Sequence, residues 1–514
     1  LSLVIGHWSL VNSQQFIIFL SLISRHLLKM LNQNQTPLLD AIKACAARSH
    51  AGFYTPGHKG GRGIAEPLAD LLGNSVFAAD LTELADLDNL SAPQGVIQEA
   101  QELAAAAFGA VRTWFLVNGS TCGVEAAILA TCGAGDKIIL PRNVHSSAIA
   151  GLILSGAVPI FLNPEYDSVL DIAHSITLDA VQAALQQHPD AKAVLTVYPT
   201  YYGVCGDLEA IAKITHQYNM PLLVDEAHGA HFAFHPELPT SALAAGADLT
   251  VQSTHKVLGA MTQASMLHMQ GNRIDADRVS KALQLLQSTS PSYILLASLD
   301  AARQQMAVSG KELISRTLQL ADEARERISQ IPGLSVLHPH TISPGFTALD
   351  RTRLTVTVSG LGLTGFEAEE ILDEKLGVVA EFASLQHLTF IISLGNTAAD
   401  IEQLVEAFTK LVEITPASLQ AVREIETNFS YIRELSPREA FFAASEMIPV
   451  EQAGDRICAE IICPYPPGIP VIMPGEVITK PALEYLQHIQ SLGGFITGCS
   501  DPSLRSLKVV KNNS

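Results

Sequence analysis

From about residue 71 the chain alternates short apolar runs with longer stretches of helical periodicity, the pattern of an α/β domain with a largely parallel sheet. Strands are expected at Thr113–Val117, Lys137–Leu140, Val158–Leu162, Ala193–Val197, Pro221–Val224 and Leu249–Gln252. Helices such as Val124–Cys132 and Leu208–Tyr218 fall between them. A spacing of roughly 20–35 residues per repeat fits successive βα units. Polar side chains cluster just after the strands, where open α/β sheets place their ligands. Further on, a long helical stretch, Asp300–Ile331, ends at Pro332-Gly333. Strands at Leu354–Val358 and Leu388–Ser393, with helices near Glu367–Lys375 and Asp400–Ile414, suggest a smaller α/β domain. A third region from about Pro437 carries the Pro-rich run Cys463–Pro470 and a helix at Lys480–Ser491. The expected partition is an N-terminal arm over 30–70, a large domain over 71–330, a small α/β domain over 331–430 and a C-terminal domain over 431–514.

Residues 1–29 stand apart. Their apolar run, Phe16–Ile23, is shorter than a membrane-spanning helix requires, and His7, Asn12, Gln14 and Gln15 interrupt the sequence before it. Met30 begins a polar segment that reads as a natural start. The expectation is therefore an over-extended reading frame, with a cleaved targeting segment as the alternative.

Composition narrows the class. The 514 residues are 48% hydrophobic and 16% charged, with a formal net charge of −19. That field repels a phosphate backbone and attracts a cationic small molecule, so no nucleic-acid partner is expected. No membrane partner is expected either. Seven scattered cysteines form neither a disulfide framework nor a zinc pattern, which suits free thiols in the cytoplasm and no bound metal.

Three features carry chemistry. Lys256 follows strand Leu249–Gln252 in the run Ser253-Thr254-His255-Lys256, and Asp225 ends the strand before it. Alone, each has an ordinary reading, as a surface lysine and a helix-capping carboxylate. The third is the small-residue turn Asn118-Gly119-Ser120-Thr121-Cys122-Gly123, where free N–H groups and two hydroxyls can cradle an anion. Pyridoxal phosphate needs such a set: a phosphate cradle, a lysine to form an imine, and a carboxylate beside the pyridine nitrogen.

At these positions the chain resembles the bacterial ornithine/lysine/arginine decarboxylases, pyridoxal-phosphate enzymes of the aspartate-aminotransferase fold (fold type I). The resemblance rests on Val251 to Ser265 around the lysine, and on Phe53 to Gly61, Pro141 to Ser146, Asp225 to Gly229, Ser288 to Tyr293 and Tyr465 to Glu476. It runs from about residue 36 to the C-terminus. It implies that Lys256 carries the cofactor, Asp225 pairs with the pyridine nitrogen, and His145 stacks on the ring. It also implies that Ser120, Thr121, Ser253 and His255 hold the phosphate, and that His228 lies near the ring. Thr289 and Ser290 are implied to reach the phosphate of a neighbouring subunit, making a homodimer with shared sites the catalytic unit. The chain looks like the family's short form, without an N-terminal receiver-like domain.

The implied reaction is decarboxylation of a basic amino acid, with arginine favoured, lysine second and ornithine third, feeding polyamine synthesis. A basic side chain needs an acidic end to its pocket, for which Glu476, Asp86 and Asp88 are candidates, each with the alternative reading of a loop carboxylate. Three other readings compete. Asp225-Glu226-Ala227-His228 spells a helicase motif, but no phosphate-binding Gly-x-x-x-x-Gly-Lys-Ser/Thr loop accompanies it. His228, His231 and His235 match no zinc spacing. A different pyridoxal-phosphate reaction (aminotransfer or acyl-CoA condensation), or a non-enzymatic homologue, would keep the fold and change the function.

Overall fold

The computed structural model describes residues 31–339, 343–415, 431–465 and 468–512. The extension 1–29 lies outside the described residues, as do Pro466 and Pro467 of the Pro-rich run.

The centre is a seven-stranded sheet. In chain order its strands are β1 (Arg112–Leu116), β2 (Lys137–Pro141), β3 (Val158–Leu162), β4 (Ala193–Val197), β5 (Leu222–Asp225), β6 (Leu249–Gln252) and β7 (Ser265–Met269), arranged spatially as β1-β7-β6-β5-β4-β2-β3. The five strands from β6 to β3 are parallel, while β7 runs antiparallel to both β6 and β1. β7 was not expected from the sequence. Ser265–Met269 directly follows the cofactor-lysine signature, whose polar and glycine residues mask a short apolar run. Alternate strand residues fill two separate cores: Phe115 and Val117 face one, Trp114 and Leu116 the other.

Helix α1 (Pro37–Ala46) joins the first core through Leu38, Ile42 and Cys45. Its leading N–H groups at Leu38 and Leu39 donate to the buried carboxylate of Asp300, which is ion-paired with Arg303. Both of those residues belong to a 37-residue helix, Tyr293–Ser329. That helix starts earlier than the expected Asp300 because the Ser292 hydroxyl caps it immediately after Pro291. Its far end packs in a third core with the four-stranded antiparallel sheet Ser335–Val336, Arg353–Thr357, His387–Ile391 and Phe382–Ala383, and with helices Gly365–Leu376 and Ala398–Ile414. A fourth core gathers the C-terminal segment around helix Lys480–Ser491.

A polar rod runs beneath the ends of β1, β7, β6 and β5. Thr113 Oγ1 donates to His268 Nδ1 (2.8 Å), His268 Nε2 to Gln252 Oε1 (3.0 Å), and Gln252 Nε2 to Glu226 Oε2 (2.7 Å). The Ala242 N–H completes Glu226 at 2.7 Å. Burial drives His268 down to about 3 and Glu226 up to about 8, so the rod holds a neutral imidazole. It ties together the residue after Asp225 and the residue before Ser253. Replacing Gln252 with Met strands a donor and an acceptor, and stability should fall by roughly 2–4 kcal/mol in urea unfolding of the full chain.

Candidate active site

Parallel pairing brings the expected residues together. Asp225 sits opposite Val251 in the β5–β6 register, so the turn carrying Ser253, His255 and Lys256 leaves the sheet beside it. Helix α2 (Gly119–Thr131) begins earlier than Val124, so most of the expected small-residue turn is its first turn. Gly123 allows the close approach: a Cβ there would lie 2.7 Å from side-chain carbons of both Leu116 and Val251. With the helix seated so closely, Ser253 Oγ reaches Ser120 Oγ at 2.7 Å. Asn118, at the N-cap, makes no side-chain capping bond, which leaves first-turn N–H groups beside the two hydroxyls.

Lys256 lies at the centre. Its Nζ is 3.1 Å from His228 Nε2, and Arg353 Nη2 meets His228 Nδ1 at 2.6 Å. The Tyr201 ring packs edge-on against the imidazole, 4.9 Å between centroids. Burial lowers the Lys256 pKa, with Asp225 opposing and Arg353 reinforcing the shift. Burial raises that of Asp225 against the pull of His145 and Lys256, and drives His228 well down.

His145 caps helix α3 (Ser146–Ser155): its Nδ1 accepts from the Ser147 N–H at 3.2 Å, and the Ser147 hydroxyl lies 2.9 Å away. The capping alternative therefore describes part of its role. With Nδ1 accepting, Nε2 is the protonated nitrogen, turned toward Gly468, where a Cβ would stand 3.4 Å away. His255 Nδ1 donates to the Ala264 carbonyl at 3.0 Å, so its Nε2 could donate to an anion only as imidazolium. Thr121 is exposed and borders a cavity of about 570 Å³ that His145 and Ser147 also line. Thr289 and Ser290 are exposed in the loop before the long helix, where the Ser290 N–H donates to the Ser288 hydroxyl at 3.1 Å. Their neighbour Ser288 donates to Asn118 Oδ1 at 3.4 Å.

The three expected substrate carboxylates are occupied elsewhere. Glu476 is buried against Arg142 at 3.0 Å and accepts the Met473 N–H at 2.8 Å. Asp88 accepts N–H groups from Gln94, Gly95, Ile97 and Gln98, anchoring the start of helix Val96–Phe108. Asp86 forms an exposed ion pair with Arg48. The acid that borders the cavity is Glu460, whose carboxylate accepts N–H groups from Ser500 and Lys508. Sequence reading missed Glu460 and Arg353. A single arginine opening the apolar strand Arg353–Thr357 was the available signal for the second, and the first had none.

The three histidines, whose spacing matched no zinc pattern, have separate partners. His231 bonds Asp350 at 3.2 Å, His235 bonds the Ser315 hydroxyl at 2.9 Å, and His228 bonds Arg353 and Lys256. Among the described residues no group of His, Cys, Asp and Glu could hold a metal ion.

Residues 36–400 match the Orn/Lys/Arg decarboxylase major domain, and residues 426–499 match the C-terminal domain of the same family. The chain belongs to the Orn/Lys/Arg decarboxylase family. It is 41% identical over 486 residues to an arginine decarboxylase of Bacillus subtilis, covering 94% of this chain and 99% of that one. It is 26% identical to a lysine decarboxylase of Pseudomonas aeruginosa, covering 88% and 75%. The Francisella novicida lysine decarboxylase superposes with a TM-score of 0.79 at 22% identity, over 97% of this chain and 84% of that one. The fold is thus the aspartate-aminotransferase-like, fold-type-I architecture, and the protein is a decarboxylase of that family. Among the described residues no helix is long and apolar enough to cross a membrane.

Glu476→Ala leaves the Arg142 charge buried and unpaired, and should cost about 3–5 kcal/mol of stability by thermal or denaturant unfolding. A substrate-binding role would instead raise KM with stability unchanged.

Proposed function

We propose that this chain decarboxylates a basic L-amino acid, arginine ahead of lysine and ornithine, using pyridoxal phosphate attached at Lys256. The observation that carries the reading is a half-buried lysine held against His228 beside the buried carboxylate of Asp225. The preference for arginine rests on the 41% identity with the Bacillus subtilis enzyme, against 26% for the Pseudomonas lysine decarboxylase.

The donor set fits the cofactor. The uncapped start of α2, with Ser120, Thr121 and Ser253, offers hydroxyls and N–H groups to a phosphate, joined by His255 in its protonated form. Asp225, buried without an ion-pair partner at hydrogen-bond distance, suits a protonated ring nitrogen. The chemistry supplied by pyridoxal phosphate, when bound, is an electron sink for the pair left behind by departing carbon dioxide. Lys256 contributes a neutral amine able to bond to the aldehyde and to be displaced by substrate. His145, fixed by Ser147, would hold its imidazole against the ring when the cofactor is bound. Thr289 and Ser290, exposed in one chain, are assigned to the partner's phosphate in a homodimer. The cytoplasm is the assigned compartment, consistent with seven free cysteines, and polyamine synthesis the assigned purpose.

Glu460 is assigned as the acceptor for the substrate's cationic end. It is an acid at the cavity shared with His145, and its nearest partners are N–H groups instead of a cation. Glu460→Gln should raise KM for arginine about tenfold or more, with a smaller change in kcat. An unchanged KM removes Glu460 from the site.

The direct test supplies protein with pyridoxal phosphate and follows carbon dioxide release from carboxyl-labelled arginine, lysine and ornithine. Release from arginine with the matching amine formed is expected, and Lys256→Ala should abolish both turnover and borohydride-reducible cofactor attachment. Release from none, with the cofactor still attached at Lys256, moves the function to another pyridoxal-phosphate reaction.

A further inference from the structure

His228 lies between two nitrogen groups that could both donate to it, and an imidazole cannot accept from both while neutral. Arg353 resolves the conflict. A guanidinium has only donors, so the contact at 2.6 Å makes Nδ1 an acceptor. A neutral imidazole with an accepting Nδ1 carries its hydrogen on Nε2. That hydrogen points to Lys256 Nζ, 3.1 Å away. The amine must then supply a lone pair, which an ammonium does not have.

The arrangement is built. Arg353 is the first residue of its strand and 1% exposed, and its Cβ and Cγ press on Gly203, where a Cβ would fall 2.7 Å from the Arg353 Cβ. Gly203 itself holds φ at +85°, and its carbonyl accepts the Asp350 N–H at 2.8 Å, fixing the turn that leads into Arg353. Tyr201, from the same loop as Gly203, closes on the imidazole. The guanidinium therefore reaches from the small antiparallel sheet into the main-sheet site along one path.

We infer that Arg353 is a positioning residue that fixes His228 as the Nε2–H tautomer and so holds Lys256 as a neutral, nucleophilic amine before the cofactor is bound. This rests on the proposed role of Lys256, but its test does not depend on turnover. The charged and titratable groups facing Lys256 are Asp225 from β5, His228 just beyond it, His145 at the start of α3, His255 from its own turn, Arg353, and Glu381. Asp225 and Glu381 favour the ammonium, whereas Arg353 opposes it by charge as well as through His228.

Two variants separate charge from tautomer. Arg353→Met keeps an unbranched stem against Gly203 and removes both charge and donors. Arg353→Lys keeps the charge and loses the planar fork. Each is prepared as the full chain free of cofactor, with thermal unfolding and native secondary structure checked first. Histidines labelled with ¹⁵N report the tautomer, the His228 signals being assigned by their loss in His228→Asn. Trace acetylation against pH, read by mass spectrometry at Lys256, reports the fraction of neutral amine. The wild type should show hydrogen on Nε2 and an unprotonated Nδ1. In Arg353→Met the Nε2–H preference should be lost, and the midpoint for Lys256 acetylation should move up by about one pH unit, a roughly tenfold loss of reactivity below it. Arg353→Lys should restore the midpoint only to the extent that it restores the tautomer. A wild-type His228 protonated on Nδ1 overturns the proposal. So does an unchanged acetylation profile in a folded Arg353→Met protein, even if KM for the amino acid rises, since Arg353 would then serve substrate directly. A restored midpoint in Arg353→Lys without the Nε2–H tautomer also overturns it, by assigning the effect to charge alone. A protein that decarboxylated none of the three amino acids would leave these readouts intact.

Discussion

Two parallel strands ending side by side set the position of everything chemical in this molecule. Because Asp225 stands opposite Val251, the chain leaving β6 must turn directly past the carboxylate, and the four residues that follow carry Ser253, His255 and Lys256 into one small volume. The polar rod from Thr113 to Glu226 holds those two strand ends at a fixed offset, since shifting either strand would break hydrogen bonds that no water could replace. Gly123 brings α2 against the same strand, so the helix start arrives beside Ser253.

Burial then decides the charge states. In water a lysine beside an aspartate forms an ordinary ion pair, but here desolvation works on both partners, lowering one pKa and raising the other. The neighbouring histidines are also driven toward neutrality. Desolvation thus shifts the lysine, the carboxylate and the histidines of the site toward their uncharged forms. Such a pocket is costly to fold. Two apolar cores lie on either face of the sheet, and a 37-residue helix links the first of them to the small sheet that delivers Arg353.

The C-terminal segment contributes a wall. Arg142 binds the carbonyls of Pro470 and Val471 together with Glu476, and the Ser146 N–H donates to the Gly468 carbonyl. Gly468 is thereby pressed against His145, and Glu460 is carried to the rim of the same cavity. A conspicuous acid in the Pro-rich motif thus serves as a structural anchor, while an inconspicuous one borders the cavity beside His145.

Much of this was legible beforehand. Val158–Leu162, Ala193–Val197, Leu249–Gln252 and Lys480–Ser491 match their expected bounds, because short β-branched runs closed by turn residues and an amphipathic helix are local signals. Asp225, Lys256 and the Ser120 turn were readable for a similar reason: each lies immediately after a strand, and strand ends in a parallel sheet converge. The sequence by itself determined the fold class, the order of those residues and the family chemistry they spell. Tertiary structure alone decided what each carboxylate is bonded to. Glu476, Asp86 and Asp88 look no different from Glu460 in one dimension, and only the packing of distant segments shows that Glu476 and Asp86 are ion-paired while Glu460, held by backbone N–H groups, borders a cavity. The same holds for Arg353, which stands 97 residues beyond Lys256 in the chain and meets His228 only when the small sheet folds back onto the large one. Hydrophobic periodicity records how each element faces its own core, but carries no information about which polar groups from separate cores will meet.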